Sequence, residues 1–258
     1  KAGLNPAIIT RGYKRDSSGQ ILLINNNNSV EIVGDEPFLL SSLCPDVDII
    51  INKNRVAAAK WAEGSTKKYD VIILDDAFQH RAIARDLNVL LMSPKQNMED
   101  CLPVGHLREP FQNISRADCV VFTKGLPDNN LINQINILKI PQFQCEENFK
   151  VSNNNFNKGI SFCGIGNPAF FIKTLKQLSI ESIVHLSFKD HEKYNDSIMK
   201  QIEQLLLENN QNTFFTTKKD WIKLPENFIE KYNGIYVDMF LSMPDSNFEK
   251  LLQNKVNV

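Results

Sequence analysis

Short apolar runs recur along the chain, separated by gaps of helix length. Pro6–Thr10, Asp48–Ile51, Val71–Leu74 and the runs at 87–92 and 119–123 predict strands. Most are continuous rather than alternating, the pattern of strands covered on both faces in a parallel sheet. Between them, residues 36–43 and the Ala-rich Arg55–Glu63 predict helices. Strand, helix, strand is the rhythm of a doubly wound α/β domain.

Asn-rich stretches at 25–28 and 153–157 read as turns or loops, because Asn tolerates left-handed backbone. The second follows a short segment at 142–145, read as a hairpin strand, and is the expected domain boundary. Beyond it the alternation resumes, with strands expected at 159–163, 183–188, 213–217 and 235–241 and helices at 168–178 and 196–207. No repeat of fixed period occurs. The fold class expected is α/β: a parallel-sheet domain over 1–155 and a second, smaller α/β lobe over 156–258.

Composition narrows the function more than the fold. The 258 residues are 42% apolar and 23% charged, ordinary for a soluble globular protein with a sizeable core. A net charge of −1 gives no reason to expect a nucleic-acid partner, which must be met by clustered Lys and Arg. No apolar stretch approaches the roughly 20 residues that span a bilayer, and no signal peptide is expected. Cys44, Cys101, Cys119, Cys145 and Cys163 are odd in number and lack metal-ligand spacing, which fits a reducing cytosol. The chain opens on Lys1 without an initiator Met, so a fragment or a trimmed front is expected.

The candidate chemistry begins at Asp75 and Asp76, which end the apolar run Val71–Leu74. Acids at the carboxyl edge of a parallel sheet sit where α/β folds bind ligands, and in phosphate-transfer enzymes that position holds Mg²⁺. Mg²⁺ takes hard oxygen ligands, one or two carboxylates with water and phosphate. The other reading is a helix N-cap, which Asp also favours. Gln79 and His80 follow within a turn. Asp35, in Gly34-Asp35-Glu36-Pro37, either caps the helix it precedes or takes a proton from an attacking hydroxyl. His191 is either an exposed loop residue or, if an interlobe cleft brings it to Asp35, the partner of that carboxylate. Arg108 offers a planar fork for phosphate and Glu109 an acidic oxygen for metal, although Arg-Glu-Pro also makes a surface turn. Arg11 opens a cationic loop after Pro6–Thr10 that suits a phosphate or headgroup, or only solvent. Cys163-Gly164-Ile165-Gly166 lacks the third Gly of a dinucleotide loop and reads as a tight turn. No G-x-x-x-x-G-K-[ST] occurs in these residues, so the acidic side of a nucleotide site stands without its phosphate loop.

Taken in order, nine segments resemble one family, the tetraacyldisaccharide 4′-kinases of lipid A biosynthesis. They are Thr10-Arg11-Gly12-Tyr13, Gly34-Asp35-Glu36-Pro37, Leu74-Asp75-Asp76-Ala77-Phe78-Gln79-His80, Arg85-Asp86-Leu87 and Leu102-Pro103-Val104-Gly105-His106-Leu107-Arg108-Glu109-Pro110. Arg116-Ala117-Asp118, Gly164-Ile165-Gly166-Asn167-Pro168, Phe188-Lys189-Asp190-His191 and Lys218-Lys219-Asp220 complete the set. The resemblance implies a P-loop-NTPase-like fold with a smaller C-terminal lobe. It implies transfer of the ATP γ-phosphate, with Mg²⁺, to the 4′-hydroxyl of a lipid A disaccharide precursor. The expected place of work is the inner-membrane surface, on its cytoplasmic face. Carried over by position, Asp35 looks like the catalytic base and His191 like its partner. Asp75 matches the Walker-B acid and Glu109 joins it at the metal, with Asp76 among the catalytic groups. Gln79, His80, Arg108 and Arg11 are implied contacts to nucleotide or lipid phosphate. Ala77 stands where the family usually has Gly, and Glu192 where a second His is common. The matching starts just downstream of where the family's Walker-A loop ends.

Three functions remain to be separated. The first is a lipid 4′-kinase that is inactive, or nearly so, as these residues alone. The second is a non-catalytic remnant that binds glycolipid or a partner, against which the intact Asp35, Asp75 and Glu109 argue. The third is a metal-dependent phosphohydrolase built on the same acids.

Overall fold

A computed structural model of the chain describes residues 3–12, 21–24, 30–93, 100–105 and 107–256. Tyr13, Lys14 and Arg15, the Asn stretch at 25–28 and His106 lie outside them. In chain order the first elements are β1 (Pro6–Thr10), β2 (Leu22–Leu23), α1 (Val30–Val33), α2 (Asp35–Leu43), β3 (Asp48–Ile51), α3 (Arg55–Glu63) and β4 (Val71–Leu74). Then come β5 (Val89–Met92), β6 (Cys119–Phe122), α4 (Asn129–Ile137), β7 (Gln142–Gln144), β8 (Glu146–Val151), β9 (Lys158–Cys163) and α5 (Pro168–Gln177). The last are β10 (Glu181–Ser187), α6 (Asp196–Glu208), β11 (Phe214–Thr217), α7 (Lys218–Trp221), α8 (Glu226–Lys231), β12 (Gly234–Ser242) and α9 (Ser246–Val256). The chain forms two compact units, each assembled from separated stretches. One holds Lys1–Thr10, Asn54–Asn148 and Phe240–Val258; the other holds Arg11–Lys53 and Phe149–Met239.

In the first unit β1 and β4 pair in parallel, Ile8 opposite Ile73 and Ile9 opposite Leu74. β5, β6 and β7 form a parallel sheet with β6 in the middle. Every residue of β6 is buried, which accounts for its continuous apolar run. Val120 and Phe122 pack with Leu131 and Ile135 of α4. Cys119 and Val121 face the other way, onto Phe143 and onto Phe248 and Leu251 of α9. Burying each such side chain contributes roughly 1.5–3 kcal/mol relative to exposure.

The expected hairpin strand at 142–145 is corrected here: β7 runs parallel to β6, and parallel neighbours need a crossover. The crossover is α4, whose run of Asn disguises an apolar stripe. Asp128 caps it by accepting from the amide of Leu131.

In the second unit β10, β9 and β11 pair in parallel, and β11 pairs in parallel with β12 over Gly234–Val237. Phe162 and Phe214 pack with Ile202 and Leu206 of α6, while Phe215, Ile235 and Val237 meet Phe171 and Leu175 of α5. Asn195 and Asn167 cap α6 and α5 by accepting from Ile198 and Phe170 amides. The same unit holds β2 and β3, paired antiparallel, and α2 packed beside β3 and α7.

All five cysteines are free, and burial pushes the thiols of Cys119 and Cys163 up to about 11 and about 12. No described helix is long and apolar enough to cross a membrane.

Candidate functional site

In the first unit, β1 and β4 end side by side, and their last residues begin the site. Thr10 Oγ1 donates to Asp75 Oδ2 at 2.9 Å, and the Asp75 amide donates to the carbonyl of Ile9. Asp75 and Asp76 open a run of turns rather than a helix, so the capping alternative falls away. Asp76 holds a left-handed backbone (φ 42°), a conformation that Asp tolerates better than most residues and that gathers at functional sites.

Two guanidiniums, buried Arg55 and half-buried Arg85, hold this acidic turn. Arg55 Nη2 donates to the carbonyls of Asp75 (2.7 Å) and Asp76 (3.1 Å). Arg85 Nη1 donates to the carbonyls of Ala77 (2.6 Å) and His80 (3.3 Å). The reading of the sequence missed Arg55. Its signal was an Arg in the first turn of α3, where the helix dipole disfavours a cation.

Glu109 is held by donors on both oxygens. Gln79 Nε2 and Arg116 Nη2 donate to Oε1, and Asn113 Nδ2 donates to Oε2 at 2.9 Å. Arg116 also lies over the ring of Phe78, 4.6 Å from its centroid. Arg108 Nη1 bonds both oxygens of Asp76, at 2.8 and 3.0 Å, in a pair exposed to solvent. His80 Nε2 is buried with no partner among the described residues. Gln79, Glu109, Asp76 and Arg108 are thus brought together, with Asp75 beside them in sequence.

The donor set suits a hard cation only through Asp75. Asp76 and Glu109 already accept from Arg108 and Arg116, whereas Asp75 Oδ1 receives no donor among the described residues. No three described His, Cys, Asp or Glu converge on one point. One open carboxylate oxygen, on Asp75, is a ligand of the kind Mg²⁺ takes alongside water and phosphate.

Beside these groups lies a cleft of about 1470 Å³ lined by β4 and β5 and, at their carboxyl ends, by Asp76, Gln79, Arg108 and Glu109. β4 and β5 are both edges towards it, and Ile73 and Leu91 are 51% and 63% exposed. A cleft of this size exceeds the roughly 300–1,000 Å³ common for small-molecule sites.

The second unit carries the other candidates. Gly34 adopts φ 89°, open chiefly to glycine, and turns the chain into α2 so that Asp35 begins the helix. His191 Nδ1 lies 3.1 Å from Asp35 Oδ2, so the two belong to one unit and the contact is intramolecular to it. His191 too is left-handed (φ 63°), its amide donating to the carbonyl of Gly164. Lys219 Nζ reaches His191 Nε2 at 3.4 Å and Asp190 Oδ1 at 3.2 Å. Burial acts to raise the Asp190 carboxyl, but the hydrogen bond and charge of Lys219, with His191, outweigh it and hold it below the usual range. Gly164 makes the tight turn expected of it: an added Cβ would sit 3.1–3.2 Å from Lys189 O, Asp220 Oδ1 and Glu192 Cβ. Arg11 is exposed and no described residue bonds its side chain.

A family model described as tetraacyldisaccharide-1-P 4'-kinase matches residues 1–257. The tetraacyldisaccharide 4'-kinase of Aquifex aeolicus (strain VF5) is 35% identical over 230 residues, covering 84% of this chain and 69% of that one. The Francisella tularensis subsp. novicida enzyme of the same name is 32% identical over 254 residues, 93% of this chain and 76% of its own. The crystal structure of the "apo" form of the Aquifex aeolicus protein in complex with ATP superposes with a TM-score of 0.75 at 30% identity, over 98% of this chain and 79% of that one. Parallel α/β sheets and that likeness make this a P-loop kinase fold. The chain belongs to the tetraacyldisaccharide-1-P 4'-kinase family.

Proposed function

We propose that this chain supplies the proton-accepting and metal-holding residues of a kinase acting on the 4′-hydroxyl of a tetraacyldisaccharide 1-phosphate, with ATP as donor. The observation that carries the reading is the pair formed by Asp35 and His191, a carboxylate and an imidazole 3.1 Å apart on left-handed and glycine-turned backbone. Membership of the family supports the substrate, and the neighbour's complex supports ATP.

In this reading Asp75, steadied by Thr10, would hold Mg²⁺, which would offset the negative charge of the ATP phosphates. Glu109, engaged by Gln79, Arg116 and Asn113, would reach the metal only through water. Asp76 and Gln79, which line the cleft, border the phosphates with His80 next in sequence, and Arg108 and Arg11 contact nucleotide or lipid phosphate. Asp35 Oδ1 accepts the proton of the 4′-hydroxyl as that oxygen bonds to the γ-phosphorus and the bond to the β–γ bridging oxygen breaks, releasing ADP. His191, on Oδ2, holds the carboxylate in position and stabilises the proton it has taken. A lipid acceptor puts the work at a membrane surface, for which we propose the cytoplasmic face of the inner membrane.

These 258 residues contain no G-x-x-x-x-G-K-[ST], the loop whose amides and Lys grip the β and γ phosphates in P-loop enzymes. By themselves they are expected to transfer little phosphate. Radiolabelled ATP and tetraacyldisaccharide 1-phosphate test both statements. Brisk lipid labelling by the 258 residues alone would overturn the second. No labelling by a chain that also carries the loop would overturn the first.

A further inference from the structure

Asp35 has a second neighbour that the sequence did not single out. Lys223 follows α7, and its side chain is only 7% exposed. Its ammonium lies 3.2 Å from Asp35 Oδ2, 3.4 Å from Asp220 Oδ1 and 3.2 Å from the carbonyl of Glu192, with the Tyr194 ring 5.6 Å away. A buried ammonium is costly unless carboxylates and carbonyls surround it, as they do here.

Asp220 takes Lys223 Nζ on its Oδ1 and is satisfied on its other oxygen by neutral donors. It is fully buried, and its Oδ2 already accepts from the Gly164 amide at 2.9 Å and from Thr217 Oγ1 at 2.7 Å. It serves as a fixed anchor from which Lys223 reaches Asp35. His191 Nδ1 bonds Asp35 Oδ2, and the ion pair of Lys223 with Asp35 makes its closest approach at the same oxygen. Oδ1 receives no donor among the described residues. One carboxylate oxygen is therefore clamped while the other is left for an incoming hydroxyl.

We propose that Lys223 is a positioning residue for phosphoryl transfer, fixing Asp35 by Oδ2 so that Oδ1 faces the acceptor; this rests on the reading of Asp35 as proton acceptor. The residue type fits the task. A Lys ammonium is a point donor that can occupy a single oxygen, whereas an Arg fork is shaped to take both oxygens of a carboxylate.

The test is a double-mutant cycle in a chain that carries the nucleotide-phosphate loop, with kcat and the KM for ATP read separately. Lys223→Met is expected to lower kcat by about tenfold or more while the KM for ATP stays within about twofold, because positioning acts on the chemical step. In an Asp35→Asn background, read by single turnover, the same substitution is expected to change the rate by less than about twofold. Equal fractional losses in both backgrounds, parallel loss of kcat and ATP affinity, or an undiminished kcat would each overturn the proposal. Should Lys223→Met fail to fold, Lys223→Arg keeps the buried charge. Its fork is expected to cover Oδ1 and depress kcat, and wild-type turnover by that variant would overturn the clamp. Asp35→Asn with undiminished turnover would instead sink the reading of Asp35 itself.

Discussion

His191 Nδ1 and Asp35 Oδ2 lie 3.1 Å apart although 156 positions separate them in the chain, and both side chains are largely shielded from solvent. The contact joins the start of α2 to a loop after β10, two elements of the same unit. A carboxylate so held has one oxygen engaged and one open.

For the loop-bearing kinase, His191→Ala is therefore expected to lower kcat by roughly 10²–10⁴-fold, the usual range for a general acid–base partner. The affinity for ATP should stay nearly constant, because His191 is given no contact with the nucleotide. Steady-state kinetics with ATP as the varied substrate checks this, and an equal loss in both quantities would count against the role.

Of Asp75, Asp76 and Glu109, Asp75 is the one with an open oxygen, whereas the other two are occupied by guanidiniums. Asp75→Asn should raise the Mg²⁺ concentration needed for half-maximal activity, with chelation by EDTA abolishing turnover in both proteins. A Mg²⁺ titration that leaves the midpoint unchanged would remove Asp75 from the metal.

Arg55 is 6% exposed and donates to two consecutive carbonyls of the acidic turn. Arg55→Met keeps much of the stem's packing but strands both carbonyls. A hydrogen bond to a charged group is worth about 1.5–3 kcal/mol, so urea unfolding should show a loss of at least that order. An unchanged midpoint would mean that the turn holds itself.

His185 supplies a pH test independent of catalysis. Burial lowers its pKa; Nδ1 sits 2.7 Å from Ser161 Oγ, and that hydroxyl is 2.6 Å from Ser182 Oγ. The folded state favours neutral imidazole more than the unfolded chain does. Its contribution is then fully present above the unfolded value of about 6.5 and is lost as pH falls towards the folded one. Thermal melting between neutral and mildly acid pH should show that decline, and His185→Gln should flatten it. A slope unchanged by the substitution would assign the acid sensitivity elsewhere.

Much of the fold was legible because parallel strands covered on both faces read as unbroken apolar runs. Pro6–Thr10, Asp48–Ile51 and Val71–Leu74 appear with the bounds expected, as does Arg55–Glu63. α4 was not legible, since its Asn residues favour loops and only burial of Leu131 and Ile135 selects the helix. With it went the direction of β7, for a strand's partner is a long-range fact.

The amino-acid order by itself determined where the acids fall, at the end of β4 and the start of α2, because strand and helix ends follow from local pattern and turn residues. It also carried the family, through short segments kept in order. What only tertiary structure decided was which groups meet. Arg55, Arg116 and Lys223 find Asp75, Glu109 and Asp35 across 20, 7 and 188 positions, respectively. Burying a cation requires an acceptor at about 3 Å, and no periodicity in a sequence records which distant acceptor that will be.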